Sequence, residues 1–149
     1  MGEGRIREHL RLAAKGNIGE GILMTPEAVL KHDGRVLTRS QREFYFENGF
    51  MAAEDLIPRE WTDLVRAASN ERIEASRQET ESGDEFDLAP EHCAEKAHVR
   101  RIKRPVDHHP VFYRFAVESP LADIAADLVG PDVKFHSCKI NYKHPRGGE

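Results

Sequence analysis

Cysteine and long apolar runs are both scarce in this chain of 149 residues. The two cysteines, Cys93 and Cys138, form no Cys-x-x-Cys pair, which argues against a disulfide framework and favours a reducing cytoplasm. No apolar run approaches the ~20 residues that span a bilayer, and the N-terminus lacks the apolar core of a signal peptide. We therefore expect a soluble, cytoplasmic protein that has no membrane partner.

An excess of positive charge is also missing. The formal net charge is −4, which gives no general electrostatic reason to bind nucleic acid. The most basic stretch, residues 99–104 (VRRIKR), is short and has no interleaved aromatic side chains, so we expect no nucleic-acid partner. A hydrophobic content of 39% and a mean hydropathy of −0.62 lie on the polar side for one folded domain, but above the range of a fully disordered chain.

Local signals place the first helix of the predicted domain after Thr38. Thr38 and Gln41 have the spacing of a capping box, and Asn48-Gly49 is a typical helix end. We expect a short strand over residues 50–53 to follow. A weaker helical segment is predicted after Pro26.

Two later helices also begin at recognisable signals. Pro58 is suited to the first turn of a helix whose apolar stripe includes Trp61, which we expect to pack rather than to stack on a ligand. Ser119-Pro120 supplies an N-cap and a proline at the first helical position, and Gly130-Pro131 ends the element. This is the clearest helix signal in the chain.

Two segments are predicted to lie outside the packed core. Residues 1–36 contain clustered glycines and are expected to be a flexible N-terminal extension. Residues 69–98 are acidic and polar, and we expect a mobile loop that is either simply solvated or covers a substrate. Within it, His92, Cys93 and His98 do not have the spacing of a structural zinc site, so we interpret them as a chance cluster.

The last part of the chain, residues 134–149 (KFHSCKINYKHPRGGE), alternates with period two. Ser137, Lys139, Asn141 and Lys143 fall on one face of the predicted strand. This polar, cationic row has two interpretations. The strand either lines a wet cavity that accepts an anion, or it is an edge strand whose lysines prevent pairing with another chain.

The same stretch resembles the phytanoyl-CoA dioxygenase family of iron(II)/2-oxoglutarate oxygenases, which includes ectoine hydroxylases. The resemblance rests on residues 130–133 (GPDV), 139–145 (KINYKHP) and 147–149 (GGE). In the family, a similar turn, strand and Gly-containing loop precede a Trp-His-x-Asp motif. The chain ends where that motif is expected, so the resemblance covers about residues 37–149 and implies the N-terminal portion of a dioxygenase domain.

The resemblance implies an α+β fold: N-terminal helices and the first strands of a double-stranded β-helix (jelly-roll or cupin-like) oxygenase domain, truncated before the iron motif. It implies that Lys143 pairs with a carboxylate of 2-oxoglutarate, that Lys139 borders the same site and that Lys103 reaches it. It also implies that Ser137 faces a small organic substrate. Iron(II) and 2-oxoglutarate are expected as cofactors of a full-length parent, but neither is expected to bind stably to this chain alone.

The ligands for iron are missing from the sequence. A facial triad needs two histidines and one carboxylate, and none of the eight histidines is followed by Asp or Glu two residues later. We therefore expect either an inactive N-terminal fragment of an oxygenase or, as the alternative, a non-catalytic module of the same fold that binds a carboxylate or a partner. In a fragment, apolar surface left exposed is expected to favour self-association.

Overall fold

A computed structural model describes residues 24–143 of the chain. The fold is mixed α+β, with a three-stranded antiparallel sheet in the order β1-β2-β3. Along the chain, the elements are α1 (Pro26–Val29), α2 (Arg39–Asn48), α3 (Arg59–Ala75), a 3-10 turn (Ser76–Gln78), β1 (Phe86–Leu88), β2 (Val99–Lys103), α4 (Pro105–His108), α5 (Pro110–Glu118), α6 (Pro120–Val129) and β3 (Lys139–Asn141).

The helix boundaries follow the local signals. The Thr38 side chain accepts a hydrogen bond from the Gln41 N–H at 3.3 Å, and the Gln41 side chain accepts one from the Thr38 N–H at 2.9 Å, which confirms the capping box. Gly49 ends α2 with a φ of 79°, in the left-handed region that glycine adopts without strain. Ser119 caps α6 through the Leu121 N–H, and the predicted helical segment after Pro26 is α1.

The sheet core contains Phe86, Val99 and Ile102, each at most 5% exposed. In the β2–β3 register, Ile102 lies opposite Ile140 and Lys103 lies opposite Lys139. Ile140 and Tyr142 pack against the core cluster, while Lys139 and Asn141 are exposed. The alternation is therefore confirmed within β3, but the cationic row, which one interpretation placed inside a wet cavity, is exposed, and the apolar face is turned inward.

The predicted long strand after Val133 is wrong in its length. β3 covers only Lys139–Asn141, and residues 131–138 have no regular secondary structure. The physical reason lies in the neighbouring strand: β2 ends at Lys103, and Arg104 turns the chain into α4 with a φ of 45°. Residues before Lys139 extend past the end of β2, so they have no strand to pair with.

Two further expectations are corrected. Residues 50–53 form no strand, and Phe50 is 66% exposed, because no described strand lies beside them. The acidic segment 69–98 is only partly a loop, since α3 continues to Ala75 and β1 lies within the segment. Helix α3 extends this far because Ile73 packs against the sheet core, a contact that composition alone does not indicate.

A buried arginine and a buried aspartate join the N-terminal helices to α6. Asp127, which is 3% exposed, accepts hydrogen bonds from three consecutive backbone N–H groups, those of Arg35, Val36 and Leu37, at 2.8–2.9 Å. Arg42, which is 2% exposed, donates to the carbonyl oxygens of Val29, His32 and Asp127. Each side chain makes three hydrogen bonds, as expected for a buried charge.

This network involves part of the segment that we predicted to be a flexible extension. Residues 24–36 include α1, whose Val29 is 2% exposed, and they contact α6 through Asp127. The prediction for residues 1–23 lies outside the described residues. The double-stranded β-helix also stays a prediction, because the described residues form a single three-stranded sheet.

Candidate functional site

Two of the residues singled out in the sequence lie on the outer face of the sheet, and a third lies just beyond the end of β3. Lys103 and Lys139 are directly opposite each other on β2 and β3, so their Cβ atoms are about 4.5–5.5 Å apart. Lys143 follows Lys139 by four residues, which corresponds to about 13 Å along an extended chain. Lys139 and Lys143 are exposed. We call this surface, defined by Lys103, Lys139 and Lys143, the lysine face.

The lysine face carries more positive charge than its surroundings neutralise. The Lys103 ammonium donates to the Gly83 carbonyl oxygen, which is a neutral partner. The neighbouring Arg101 donates to the Asn141 side-chain oxygen at 2.9 Å and lies 3.5 Å from an Asp87 carboxylate oxygen. Within residues 24–143, no ion pair involves Lys139 or Lys143. Like charges directly across a strand pair are destabilising, so this arrangement favours an anion beside Lys139.

Ser137 does not lie in β3, so no strand places it on the lysine face. It lies in the irregular segment before β3, where it is exposed, and its hydroxyl is 3.1 Å from the His136 Nδ1. The structure therefore places Lys103 opposite Lys139 and leaves Lys143 exposed just beyond the end of β3, but it does not extend the strand to Ser137. The substrate role of Ser137 stays a prediction.

The histidines of the acidic segment have structural partners. The two ring nitrogens of His92 contact the backbone: Nδ1 accepts from the His98 N–H at 2.9 Å, and Nε2 is 3.0 Å from the Ser76 carbonyl oxygen. His98 lies 3.3 Å from a Glu91 carboxylate oxygen. In the part of the chain that the structure describes, there is no group of three or more His, Cys, Asp or Glu side chains that can hold a metal ion. An iron ion does not fit these residues.

A half-buried ion pair beside the sheet was not predicted from the sequence. Arg72 donates two hydrogen bonds of 2.7 Å to the two carboxylate oxygens of Glu85, and His108 lies 3.6 Å from the same carboxylate. The hydrogen bonds that Arg72 donates to Glu85 raise the pKa of Arg72. In the sequence, Arg72 and Glu85 belong only to adjoining charged stretches. This pattern does not identify two residues 13 positions apart as a pair. This pair joins α3 to the start of β1 and has a structural role.

Cys138 is poorly suited to be a nucleophile. Burial raises the pKa of its thiol, which lowers the population of the reactive thiolate at neutral pH. We therefore assign no covalent chemistry to Cys138. The other cysteine, Cys93, is exposed, and its backbone forms a tight turn with Lys96.

A shallow cavity of about 420 Å³ lies between the end of α2 and the segment that follows it. Its lining includes Phe44, Phe50 and Met51, and the two phenyl rings meet edge to face with their centroids 5.8 Å apart. None of its lining residues is charged. The cavity is an apolar surface feature, and the lysine face remains the candidate site for an anion.

No family model, curated protein or solved structure matches this chain. None of the described helices is long and apolar enough to cross a membrane.

Proposed function

We propose that the chain supplies the N-terminal part of an iron(II)/2-oxoglutarate oxygenase of the phytanoyl-CoA dioxygenase family, which hydroxylates a small organic substrate. The sequence of residues 130–145 supports the family, and the lysine face supports the site. The observation that carries the proposal is the direct opposition of Lys103 and Lys139 beside an exposed Lys143. A carboxylate bound beside Lys139 and Lys143 offsets the positive charge of this face, while the Lys103 ammonium donates to the Gly83 carbonyl oxygen.

The chemistry of the lysine face suits 2-oxoglutarate. The ligand is a small dianion, and a lysine ammonium forms strong charge-assisted hydrogen bonds with a carboxylate. In this proposal, Lys143 pairs with one carboxylate, while Lys139 and Lys103 border the site and favour its charge. If bound, iron would activate molecular oxygen with electrons from 2-oxoglutarate, and this supplies the oxidant that such an enzyme needs. The role of this chain is to bind and orient the co-substrate, and the iron ligands lie outside the described residues.

A second candidate function is a non-catalytic module that holds a carboxylate ligand on the same face. The exposure of Lys139 and Lys143 favours it, because an oxygenase site excludes water around its reacting groups. The apolar cavity does not contribute to the lysine face, since its lining residues belong to α2 and residues 50–52. In this candidate, the lysines bind an anion reversibly and no oxidation follows.

The two candidates differ in what a longer coding sequence contains. A Trp-His-x-Asp motif in frame after Glu149 supports the oxygenase, and a stop codon there supports the binding module. If the chain is part of an oxygenase, the full-length protein converts 2-oxoglutarate and O2 to succinate and CO2 in an iron-dependent reaction that hydroxylates the substrate, whereas the 149-residue chain does not. Iron-dependent succinate production by the short chain alone would contradict our conclusion that it lacks the iron ligands.

Substitution of Lys143 tests the site in the full-length protein. Lys143→Ala removes a charge-assisted contact and is expected to raise the apparent constant for 2-oxoglutarate about tenfold or more, with little change in iron affinity. Lys134→Ala is the matched control, because Lys134 is also exposed but lies in the irregular segment before β3. Equal effects of the two substitutions would show that general surface charge, not the lysine face, attracts the anion.

A further inference from the structure

The two edge strands of the sheet differ in how far their outward hydrogen-bonding groups are occupied by the rest of the described chain. On the β1 edge, the Phe86 carbonyl oxygen accepts from the Gly83 N–H at 3.0 Å. On the same edge, the Leu88 N–H donates to the Ser82 hydroxyl at 2.9 Å. The turn before β1 thus occupies the hydrogen-bonding groups that face away from β2. Such coverage prevents an edge strand from pairing with another chain.

The β3 edge is open in the described part of the chain. The Tyr142 N–H donates to the Arg100 carbonyl oxygen at 2.9 Å, which shows that the backbone groups of Ile140 and Tyr142 face β2. Hydrogen-bonding direction alternates along a strand, so the backbone groups of Lys139 and Asn141 point away from the sheet. Within residues 24–143, no hydrogen bond reaches these backbone groups from outside the sheet, and both residues are exposed.

The side chains beside this edge define the strand that fits it. One face presents the exposed Lys139 and Lys143, and the other presents Ile140 and Tyr142, which continue the apolar core. A second copy of β3 is a poor match, because it brings another row of lysines against this one. A strand that alternates acidic and apolar side chains matches both faces at once.

We propose that the open edge of β3 binds an extended acidic segment of another polypeptide as a fourth strand of the sheet. The backbone of Lys139 and Asn141 supplies hydrogen bonds, and Lys139 and Lys143 select Asp or Glu on one side of the incoming strand. Apolar side chains on its other side extend the contact with Ile140 and Tyr142. This is strand addition at a sheet edge, in which main-chain bonds give affinity and alternate side chains give specificity. It goes beyond the proposed function, since it uses the strand edge and needs neither iron nor 2-oxoglutarate.

The first test uses two labelled peptides and the 149-residue chain. One peptide is centred on Glu-Val-Thr-Val-Glu and the other on Lys-Val-Thr-Val-Lys, and binding is measured by fluorescence anisotropy at low and high salt. The acidic peptide is expected to bind at least about tenfold more tightly, with a preference that falls as salt increases. Equal binding of the two peptides would overturn the proposal.

Backbone pairing is tested without altering the protein. Two versions of the acidic peptide are N-methylated, one at both glutamates and one at both valines. Because only alternate backbone groups of a strand face its neighbour, one version is expected to lose at least about tenfold in affinity, and the other should bind as before. Equal affinities for the two methylated peptides would show attraction by charge alone and would overturn strand addition.

A matched pair of variants tests the edge from the protein side. Asn141→Ala and Asn141→Pro both remove the side-chain contact with Arg101, but only proline also removes the outward N–H, and edge strands tolerate proline. The proline variant is expected to lose the peptide, while the alanine variant retains it and both keep the circular dichroism of the parent. Similar binding by the two variants would overturn the proposal. So would a dimer of the unliganded chain that the acidic peptide disperses, because the edge would then belong to a second copy.

Discussion

Replacing Asp127 by asparagine should destabilise the protein strongly, although the change is nearly isosteric. The carboxylate accepts hydrogen bonds from the N–H groups of Arg35, Val36 and Leu37. An asparagine amide places an NH₂ group against at least one of these donors, which leaves a buried N–H unpaired. We expect a cost of about 2–4 kcal/mol, given that a buried donor without a partner costs about 1–3 kcal/mol and that bonds to a charged acceptor are stronger than neutral ones.

Urea and thermal unfolding followed by circular dichroism measure this loss. For a chain of this size, the expected fall in Tm is about 4–16 °C. Asp123→Asn is the control, since Asp123 lies one turn earlier on α6 and also pairs with Arg35, at 2.9 Å, but with both side chains about half exposed. An exposed ion pair contributes about 1 kcal/mol or less. If the two variants lose equal stability, the burial and the backbone contacts of Asp127 do not matter in the way that we infer.

The surroundings of Asp127 also predict how the stability of the protein depends on pH. Burial by itself raises the pKa of Asp127, but the three backbone N–H donors, together with Arg42, outweigh it and hold the pKa below the ordinary value of 3.8. The unfolded chain therefore takes up this proton more readily than the folded chain. The stabilisation is fully present above the ordinary pKa and is lost as the pH falls through the lower, folded-state pKa. Asp127→Asn should therefore make the free energy of unfolding less dependent on pH in acid. An unchanged dependence would contradict the role that we assign to the Asp127 carboxylate.

Two other predictions concern the remaining surfaces. Arg72→Ala should lower the free energy of unfolding more than Arg66→Ala does. The side chains of Arg72 and Glu85 are only 22% and 14% exposed, whereas those of Arg66 and its partner are 68% and 53% exposed. Equal losses of stability would show that the bidentate pair is not stabilising. The chain should bind a hydrophobic dye at the apolar cavity lined by Phe50, which is 66% exposed. Phe50→Ser should therefore reduce the fluorescence of the bound dye, and unchanged fluorescence would show that the dye binds elsewhere.

Local signals predicted the helices well because they depend on neighbours in the sequence. The capping box at Thr38, the end of α2 at Gly49 and the start of α6 after Ser119 each depend on residues within a few positions. The length of β3 could not be predicted in this way, since it depends on where β2 ends. Alternation identified which residues share a face of β3, but not how many of them find a partner strand.

The candidate site was predicted only in part for the same reason. The sequence indicated Lys139 and Lys143 as one row, and the choice of Lys103 came from the family resemblance. Only the register shows that Lys103 lies directly opposite Lys139. Asp127 was missed altogether, although a charged residue between Ala126 and Leu128, in the apolar part of a helix, is a signal for a buried polar contact. Its partners are 90–92 residues away, so the sequence pattern did not identify them.

The contact between Arg42 and α6 also has a consequence for the order of events during translation. Arg42 binds the carbonyl oxygen of a residue 85 positions later, and a ribosome adds about 5–20 residues per second. Helices α1 and α2 are therefore synthesised about 4–17 s before the helix on which they dock. In that interval, the three backbone N–H groups that later bind Asp127 lack this partner. The segment around Arg42 is thus made about 85 residues before the α6 carbonyl oxygen that it binds.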